Sequence, residues 1–127
     1  MVKGFPAGWG TCFRSVKLND QPRTLACWKD ILAVGLYYGC ITILNATTGS
    51  QVAVLSEHTD QVRSLTFMPD GTSLVSGSQD STVKLWDVQT SGVVKTFHGH
   101  TNGVSSVSIS ADCTIIASGS KDHTICL

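Results

Sequence analysis

Residues 57–97 read EHTDQVRSLTFMPDGTSLVSGSQDSTVKLWDVQTSGVVKTF, and this stretch decides the fold. Apolar and polar residues alternate in short runs, as expected for strands whose side chains point to opposite faces in turn. Pro69, Asp70 and Gly71 form one turn signal, and Ser91 and Gly92 form another. The pattern predicts four short antiparallel strands in one meander.

The rest of the chain repeats this unit with a period of 42 residues. His58 and His100 are 42 residues apart, as are Asp80 and Asp122. Residues 73–85, SLVSGSQDSTVKL, match 114–127, TIIASGSKDHTICL, closely, and 29–44, KDILAVGLYYGCITIL, more weakly. A period of about 40–45 residues is typical of propeller blades with four strands each.

Gly99-His100 opens a repeat, Asp80 lies in a second turn, and Trp86-Asp87 ends a third strand. These repeated positions resemble the WD-repeat β-propeller family. The resemblance covers about residues 20–127. It implies an all-β fold, a partial (open) propeller of about three four-stranded antiparallel blades with their first strands innermost. The expected blades are 23–55, 62–97 and 104–127, the third of which is incomplete with three strands.

The domain organisation follows from these boundaries. We expect a WD-repeat array over 23–127, preceded by an N-terminal segment over 1–22. The alternating pattern at 12–18 predicts a strand, which in this family often completes the last blade and closes the ring. Because position 128 would carry the next tryptophan in register, the sequence is expected to be the opening part of a longer array. Assembly of several copies into a ring is the alternative.

Composition limits the classes of partner. Nine basic residues balance nine acidic ones, and no basic run favours a nucleic acid or an anionic membrane. No apolar run approaches the length of a membrane-spanning helix, and the first residues lack a signal-peptide pattern. The five cysteines are odd in number and form no C-x-x-C motif. We therefore expect an intracellular, cytoplasmic protein.

The resemblance implies a hydrogen-bonded structural tetrad in the second repeat. Its members would be His58, Ser76, Asp80 and Trp86, with the indole donating to Ser76, Ser76 to His58, and His58 to Asp80. The third repeat offers the partial set His100, Ser118 and Asp122. The first repeat has Val16, Tyr38 and Leu44 where the histidine, aspartate and tryptophan would fall, so no tetrad is expected there.

A serine, a histidine and an aspartate could also form a hydrolase triad. No G-x-S-x-G elbow surrounds Ser76, and a tryptophan completes the group. His98, His100 and His123, with Cys126, are too few for a convincing metal site. We therefore expect no enzymatic activity, no metal and no cofactor.

We predict that the chain is a non-catalytic protein–protein interaction scaffold or sensor module. It would bind protein partners through its loops. The alternatives are a propeller-based hydrolase and a truncated product without independent function. In this family partners commonly bind the face that carries the entry loops and second turns. The corresponding residues are Tyr37, Asp60, Gln61, Gln79, Asn102 and Lys121.

The terminal blades each lack a neighbour in the predicted array. We expect some apolar residues of the first and third sheets to meet water, and expect marginal stability with self-association through these blades. The residues considered are Ile41, Ile43, Ile109, Ile115 and Ile116.

Overall fold

The computed structural model describes residues 15–127 and contains eleven β-strands in that range. Each strand is short, with between two and seven residues. The strands are β1 (Pro22–Trp28), β2 (Ile31–Leu36), β3 (Ile41–Asn45), β4 (Gln51–Leu55), β5 (Val62–Phe67), β6 (Ser73–Ser78), β7 (Val83–Asp87), β8 (Gly92–Phe97), β9 (Val104–Ile109), β10 (Ile116–Ser120) and β11 (Ile125–Cys126).

The strands form three separate antiparallel sheets, each a simple meander. The first sheet has the order β1-β2-β3-β4, the second β5-β6-β7-β8, and the third β9-β10-β11. This arrangement confirms the all-β fold class, with three strands in the third sheet. The strand expected over 12–18 is not formed at residues 15–18, and its remaining residues lie outside the described range.

The turn at the end of β5 shows how the sequence produces these meanders. Gly71 has a φ of 73°, a left-handed conformation that glycine adopts without strain. Asp70 Oδ1 accepts a hydrogen bond from the Thr72 N–H at 3.0 Å. The indole ring of Trp28 lies where a Cβ of Gly71 would be, and its Nε1 donates to the Pro69 carbonyl at 3.0 Å. This turn of the second sheet is therefore attached to the first sheet.

A buried apolar cluster joins the first and second sheets. Alternation along β6 directs Leu74 and Ser76 towards the first sheet, and Val75 and Gly77 towards the third. Trp86 of β7 is fully buried in this cluster. The cluster consists of Ala33, Ile41, Ile43, Leu55, Val62, Leu65, Leu74 and Trp86.

A second cluster joins the second and third sheets, with Val75, Val83, Val104 and Val107 at its centre. The first strands of these sheets also meet directly, because the Val107 N–H donates to Ser64 Oγ at 3.1 Å. A Cβ at Gly77 would lie only 2.7 Å from a Val104 methyl carbon. The sheets can therefore approach this closely only because position 77 has no side chain.

The prediction that apolar residues of the first and third sheets are exposed to solvent is correct only in part. Ile41 and Ile43 are buried because they point towards the second sheet, not away from it. Ile109 and Ile116 are half-buried, whereas Ile115 is 48% exposed.

The other face of the first sheet is buried only in part, since Leu25 and Val54 on that face are 62% and 42% exposed. Val34, Leu36 and Leu44 form a small cluster there, against which Leu18 packs. The expectation that some apolar residues of this face meet water therefore holds for Leu25 and Val54 but not for the cluster.

Two glycines at equivalent positions provide a matched test of the close packing. We expect Gly77→Ala to destabilise the chain by about 1–3 kcal/mol, because overpacking forces Val104 and Val107 to move. Gly119→Ala should be close to neutral, since a Cβ there meets nothing within 4 Å. Urea unfolding of both variants measures the difference, and equal midpoints would contradict this account of the interface.

Candidate functional site

A chain of hydrogen bonds runs through the second sheet from β7 to the loop that precedes β5. Trp86 Nε1 donates to Ser76 Oγ at 2.7 Å. Ser76 Oγ lies 2.6 Å from His58 Nε2, and His58 Nδ1 lies 2.8 Å from Asp80 Oδ2. A neutral imidazole with its proton on Nδ1 lets Trp86, Ser76 and His58 each donate once along the chain, with the Asp80 carboxylate as the final acceptor. We call these four residues the tetrad.

Asp80 is the anchor at the loop end of the tetrad. Its Oδ2 accepts the Thr59 N–H at 3.1 Å, and its Oδ1 accepts both the N–H and the hydroxyl of Thr82, at 2.9 and 2.6 Å. Burial by itself raises the pKa of Asp80, but the hydrogen bonds from His58 and Thr82 outweigh it and hold this pKa well below its ordinary value. The carboxylate therefore stays ionised and ties the entry loop to the turn after β6.

The third sheet repeats most of this arrangement. His100 Nε2 lies 2.9 Å from Ser118 Oγ, and His100 Nδ1 lies 3.0 Å from Asp122 Oδ2. The hydroxyl of Thr124 donates to Asp122 and, with the backbone N–H groups of Thr101 and Thr124, lowers the pKa of Asp122. Ser118 has no tryptophan donor among the described residues, so this network has three members in place of four.

The first sheet carries apolar residues where the second has the tetrad. Val34 stands at the position of Ser76 and Leu44 at that of Trp86, and both are buried together. Tyr38, at the position of Asp80, is 77% exposed, and Val16 is also exposed. The first sheet therefore replaces the polar chain with van der Waals packing.

Two further pairs of residues belong to these networks and were missed from the sequence. Ser78 Oγ donates to the carbonyls of Asp60 and Gln61, at 3.0 and 2.9 Å, and accepts the Asp80 N–H. Ser120 makes the equivalent bonds in the third sheet. With Thr82 and Thr124 they define a repeated S-G-S-x-D-x-T pattern at 76–82 and 118–124. That repetition was the signal available in the sequence.

The tetrad offers little opportunity for catalysis. Ser76 has no exposed surface, and its oxygen is already engaged by both Trp86 and His58. A nucleophile must instead reach a substrate and lie beside a free general base. Among residues 15–127, no three His, Cys, Asp or Glu side chains are grouped closely enough to hold a metal ion. No helix in the same range is long and apolar enough to cross a membrane.

The six residues predicted to form a binding face lie on loops at one edge of the sheets, which we call the loop edge. Backbone hydrogen bonds of 2.9 Å join neighbouring loops there, from the Gln79 N–H to the Gln61 carbonyl and from the Lys121 N–H to the Gly103 carbonyl. A Cβ at Gly39 would collide with the carbonyls of His58 and Asp60, so the turn of the first sheet packs on the entry loop of the second.

The six side chains differ in how accessible they are. Those of Tyr37, Asp60, Asn102 and Lys121 are exposed. Gln61 and Gln79 are half-buried. The Gln79 side chain accepts a hydrogen bond from Arg63 Nε at 2.9 Å, and Gln61 Oε1 is buried with no hydrogen-bond partner among the described residues. Four of the six are therefore free to contact a partner from solvent.

The tetrad can be tested with a pair of equivalent serines. We expect Ser76→Ala to cost about 1–3 kcal/mol of unfolding free energy, because the buried Trp86 N–H loses its acceptor. Ser118→Ala should cost less, since within residues 15–127 the Ser118 hydroxyl bonds only His100 and it lies nearer to solvent. Chemical denaturation followed by circular dichroism gives both values. Equal losses of unfolding free energy in the two variants would show that the hydrogen bond from Trp86 to Ser76 does not contribute to stability.

The lowered pKa of Asp80 predicts a loss of stability in acid. The unfolded chain protonates this carboxyl near pH 3.8, whereas the folded chain does so only at lower pH. The stabilisation is therefore complete above about pH 5 and decreases as the pH falls towards 2. Asp80→Asn should flatten this slope and Thr82→Val should reduce it partly, as measured by thermal unfolding at each pH. An unchanged slope in Asp80→Asn would contradict the assignment.

Comparison with known proteins agrees with this geometry. A family model described as "WD domain, G-beta repeat" matches residues 49–87 and 91–127. "WD repeat and SOCS box-containing protein 1" of Danio rerio is 43% identical over 94 residues, which cover 66% of this chain and 22% of that protein. The human protein of the same name is 46% identical over 63 residues, 49% of this chain and 15% of the relative.

A relative with a different name matches over a similar stretch. "Restriction of telomere capping protein 1" of Clavispora lusitaniae is 43% identical over 70 residues, 53% of this chain and 6% of that protein. The chain thus spans 22% or less of the length of these relatives. The family match agrees with the repeated sheets and with the tetrad described above, and we conclude that the chain belongs to the WD40 repeat family.

Proposed function

We propose that this chain is a non-catalytic scaffold that binds protein partners through its loop edge. One observation carries the proposal: exposed Tyr37, Asp60, Asn102 and Lys121 share an edge of loops that are bonded to one another. Aromatic and polar side chains on rigidly supported loops suit protein recognition. Tyr37 is the strongest candidate anchor, since its ring also contacts Tyr38 edge-on at 5.3 Å and lies 5.9 Å from the Arg23 guanidinium.

The tetrad has a structural role in this proposal. It bonds the entry loop at His58 to the turn at Asp80 and to Trp86 in the sheet interior. Loops held in this way lose little conformational entropy when a partner binds, which favours affinity. The buried serine would then support the binding surface without contacting the partner.

The relatives give the proposal its context. Two of them carry both "WD repeat" and "SOCS box" in their name, so their repeats are combined with a second module. We infer the corresponding division of labour here, with these repeats supplying the partner-binding part. The four described cysteines are unpaired, which favours a reducing, intracellular location.

Self-association through the third sheet belongs to the same proposal. Ile125 of β11 and the flanking residues Ile115 and Leu127 are exposed, and the outer edge of β11 has no strand partner among the described residues. Such edges and apolar side chains favour contacts between chains.

Cross-linking tests the loop edge as the binding surface. A variant carrying Tyr37→Ala, Asp60→Ala, Asn102→Ala and Lys121→Ala should lose the proteins that the unchanged chain captures in cells, because its exposed contact atoms are removed. Its matched control carries four alanines at exposed positions away from that edge, namely Thr47, Gln51, Gln89 and Thr90, and should retain them. Quantitative mass spectrometry of the cross-linked proteins gives the comparison.

Two outcomes would overturn the proposal. Equal capture by the loop-edge variant and the unchanged chain would remove this edge as the binding surface. Turnover of ester or phosphate substrates that Ser76→Ala abolishes would make the chain a hydrolase instead.

A further inference from the structure

The first strand of each sheet carries a β-bulge at the same place. The extra residue that the bulge inserts is Arg23 in β1, Arg63 in β5 and Ser105 in β9. In each case it is the second residue of the strand, next to the entry loop. A bulge changes the direction of a side chain relative to the rest of its strand. Two neighbouring first strands therefore each present an arginine beside the loop edge.

The residue that opens the second turn of each sheet stands opposite this bulge. The Arg23 guanidinium lies 5.9 Å from the centre of the Tyr37 ring, and Arg63 Nε donates to Gln79 Oε1 at 2.9 Å. Lys121 holds the same place in the third sheet, because its N–H bonds the entry loop as those of Tyr37 and Gln79 do. Together the bulge and the turn supply one cationic side chain from every sheet.

These cations have no acidic partner within the part of the chain that the structure describes. The ion pairs between residues 15 and 127 join histidines to aspartates only. The nearby entry-loop carboxylates bond the backbone instead. Asp20 accepts the N–H groups of Gln21 and Tyr38 at 2.6 and 3.0 Å, and Asp60 accepts that of Gln61 at 2.7 Å. The arginines and the lysine are therefore free to pair with an external anion.

Arg63 is held in position before any partner arrives. Its Nε–H is fixed by Gln79, and the Gln79 amide lies against the backbone of the next sheet, since a Cβ at Gly103 would be only 2.5 Å from Gln79 Oε1. The N–H groups on both Nη atoms have no acceptor among residues 15–127 and can bind a carboxylate in the paired geometry that arginine favours. A side chain fixed in this way loses little conformational entropy on binding.

The distribution of the cations indicates which anion they suit. Arg23, Arg63 and Lys121 come from the first, second and third sheets in turn. A phosphate group, with its double charge, is bound best where several cations converge on it. Single cations on successive sheets instead match single negative charges that follow one another along a polypeptide.

We propose that Arg23, Arg63 and Lys121 bind an acidic segment of the partner polypeptide, whose side-chain carboxylates meet the three cations in turn. This inference rests on the proposed function, because it gives the chemistry of the partner for the same loop edge. Arg63 receives one carboxylate on its Nη groups. Arg23 receives another beside the Tyr37 ring, and Lys121 extends the row onto the third sheet.

A pair of peptides tests the charge requirement directly. The probe is a capped peptide of alternating glutamate and threonine, ETETETE, in which the carboxylates share one face when the peptide is extended. Its control, QTQTQTQ, has the same shape without charge. Calorimetric titration into the full chain should show that the acidic peptide binds at least tenfold more tightly, the effect of a charge-assisted hydrogen bond. Equal affinity, or no binding of the acidic peptide, would overturn the proposal.

Matched variants separate these arginines from the general charge of the chain. Arg23→Gln and Arg63→Gln should each lower the affinity for the acidic peptide by about tenfold. Arg63→Lys should lower it less, because the charge remains and the paired geometry is lost. The control carries Lys29→Gln and Lys95→Gln, at exposed positions away from the loop edge, and should bind normally. An equal loss in the control, or no recovery in Arg63→Lys, would contradict the assignment.

A measurement on the unchanged chain does not depend on how the variants fold. Bound acidic peptide should slow the reaction of Arg23 and Arg63 with phenylglyoxal and the acetylation of Lys121. The acetylation of Lys29 and Lys95 should stay the same, as measured by mass spectrometry. Equal protection of all five side chains would place the peptide outside this row of cations.

Two further probes identify the anion. A peptide with phosphoserine in place of the central glutamate should bind with similar affinity, since no site gathers the three cations. Binding that is tenfold tighter would assign the site to phosphate and overturn the choice of carboxylates. Inorganic phosphate alone should bind far more weakly than the acidic peptide, and equal affinity would make this a site for small anions.

Capture in cells distinguishes this inference from the proposed function. A variant with Arg23→Gln and Arg63→Gln shares no position with the loop-edge alanine variant. It should lose those captured proteins that are cross-linked through segments rich in aspartate and glutamate. If it retains them while the alanine variant loses its partners, this inference fails and the proposed function stands. If both variants retain every partner, both proposals fail.

Discussion

The hydrogen-bonded chain from Trp86 through Ser76 and His58 to Asp80 is the interaction on which the second sheet depends. It joins the interior strand β7 to the entry loop and to the turn after β6. Every buried polar atom along it has a partner, so burial carries no cost for an unsatisfied group. Because Asp80 also receives the N–H groups of Thr59 and Thr82, the geometry of the loop edge is coupled to that of the sheet interior.

Close approach between sheets is the second constraint, and glycine makes it possible. Gly35 faces Val62 across the first interface, and Gly77 faces Val104 and Val107 across the second. The two interfaces are built from residues at equivalent positions, yet they are filled differently. A full indole occupies the first, whereas the second contains a cavity beside Ser118. Equivalent positions are therefore packed differently in the two interfaces.

The chain presents two kinds of surface for contact, which differ in physical character. The loop edge is polar and aromatic, and its loops are held by short backbone hydrogen bonds. The third-sheet surface is apolar, with exposed Ile125 and the flanking residues Ile115 and Leu127. The first surface suits recognition by side chains.

The sequence by itself determined the strands of the three sheets and the 42-residue register, because alternation and turn residues are local properties, whereas the residues of the tetrad followed from the resemblance to the WD-repeat family. Asn45 illustrates this, because it stands 42 positions before Asp87. Each of these two side chains accepts the N–H groups of the residues two and three positions after it. Only the tertiary structure decided which neighbour covers each face. Alternation separates the faces of a strand but does not say which one a second sheet will bury, so Ile41 and Ile43 were placed wrongly. The bonds of Ser78 and the cavity beside Ser118 likewise arise from packing between segments that are distant in sequence.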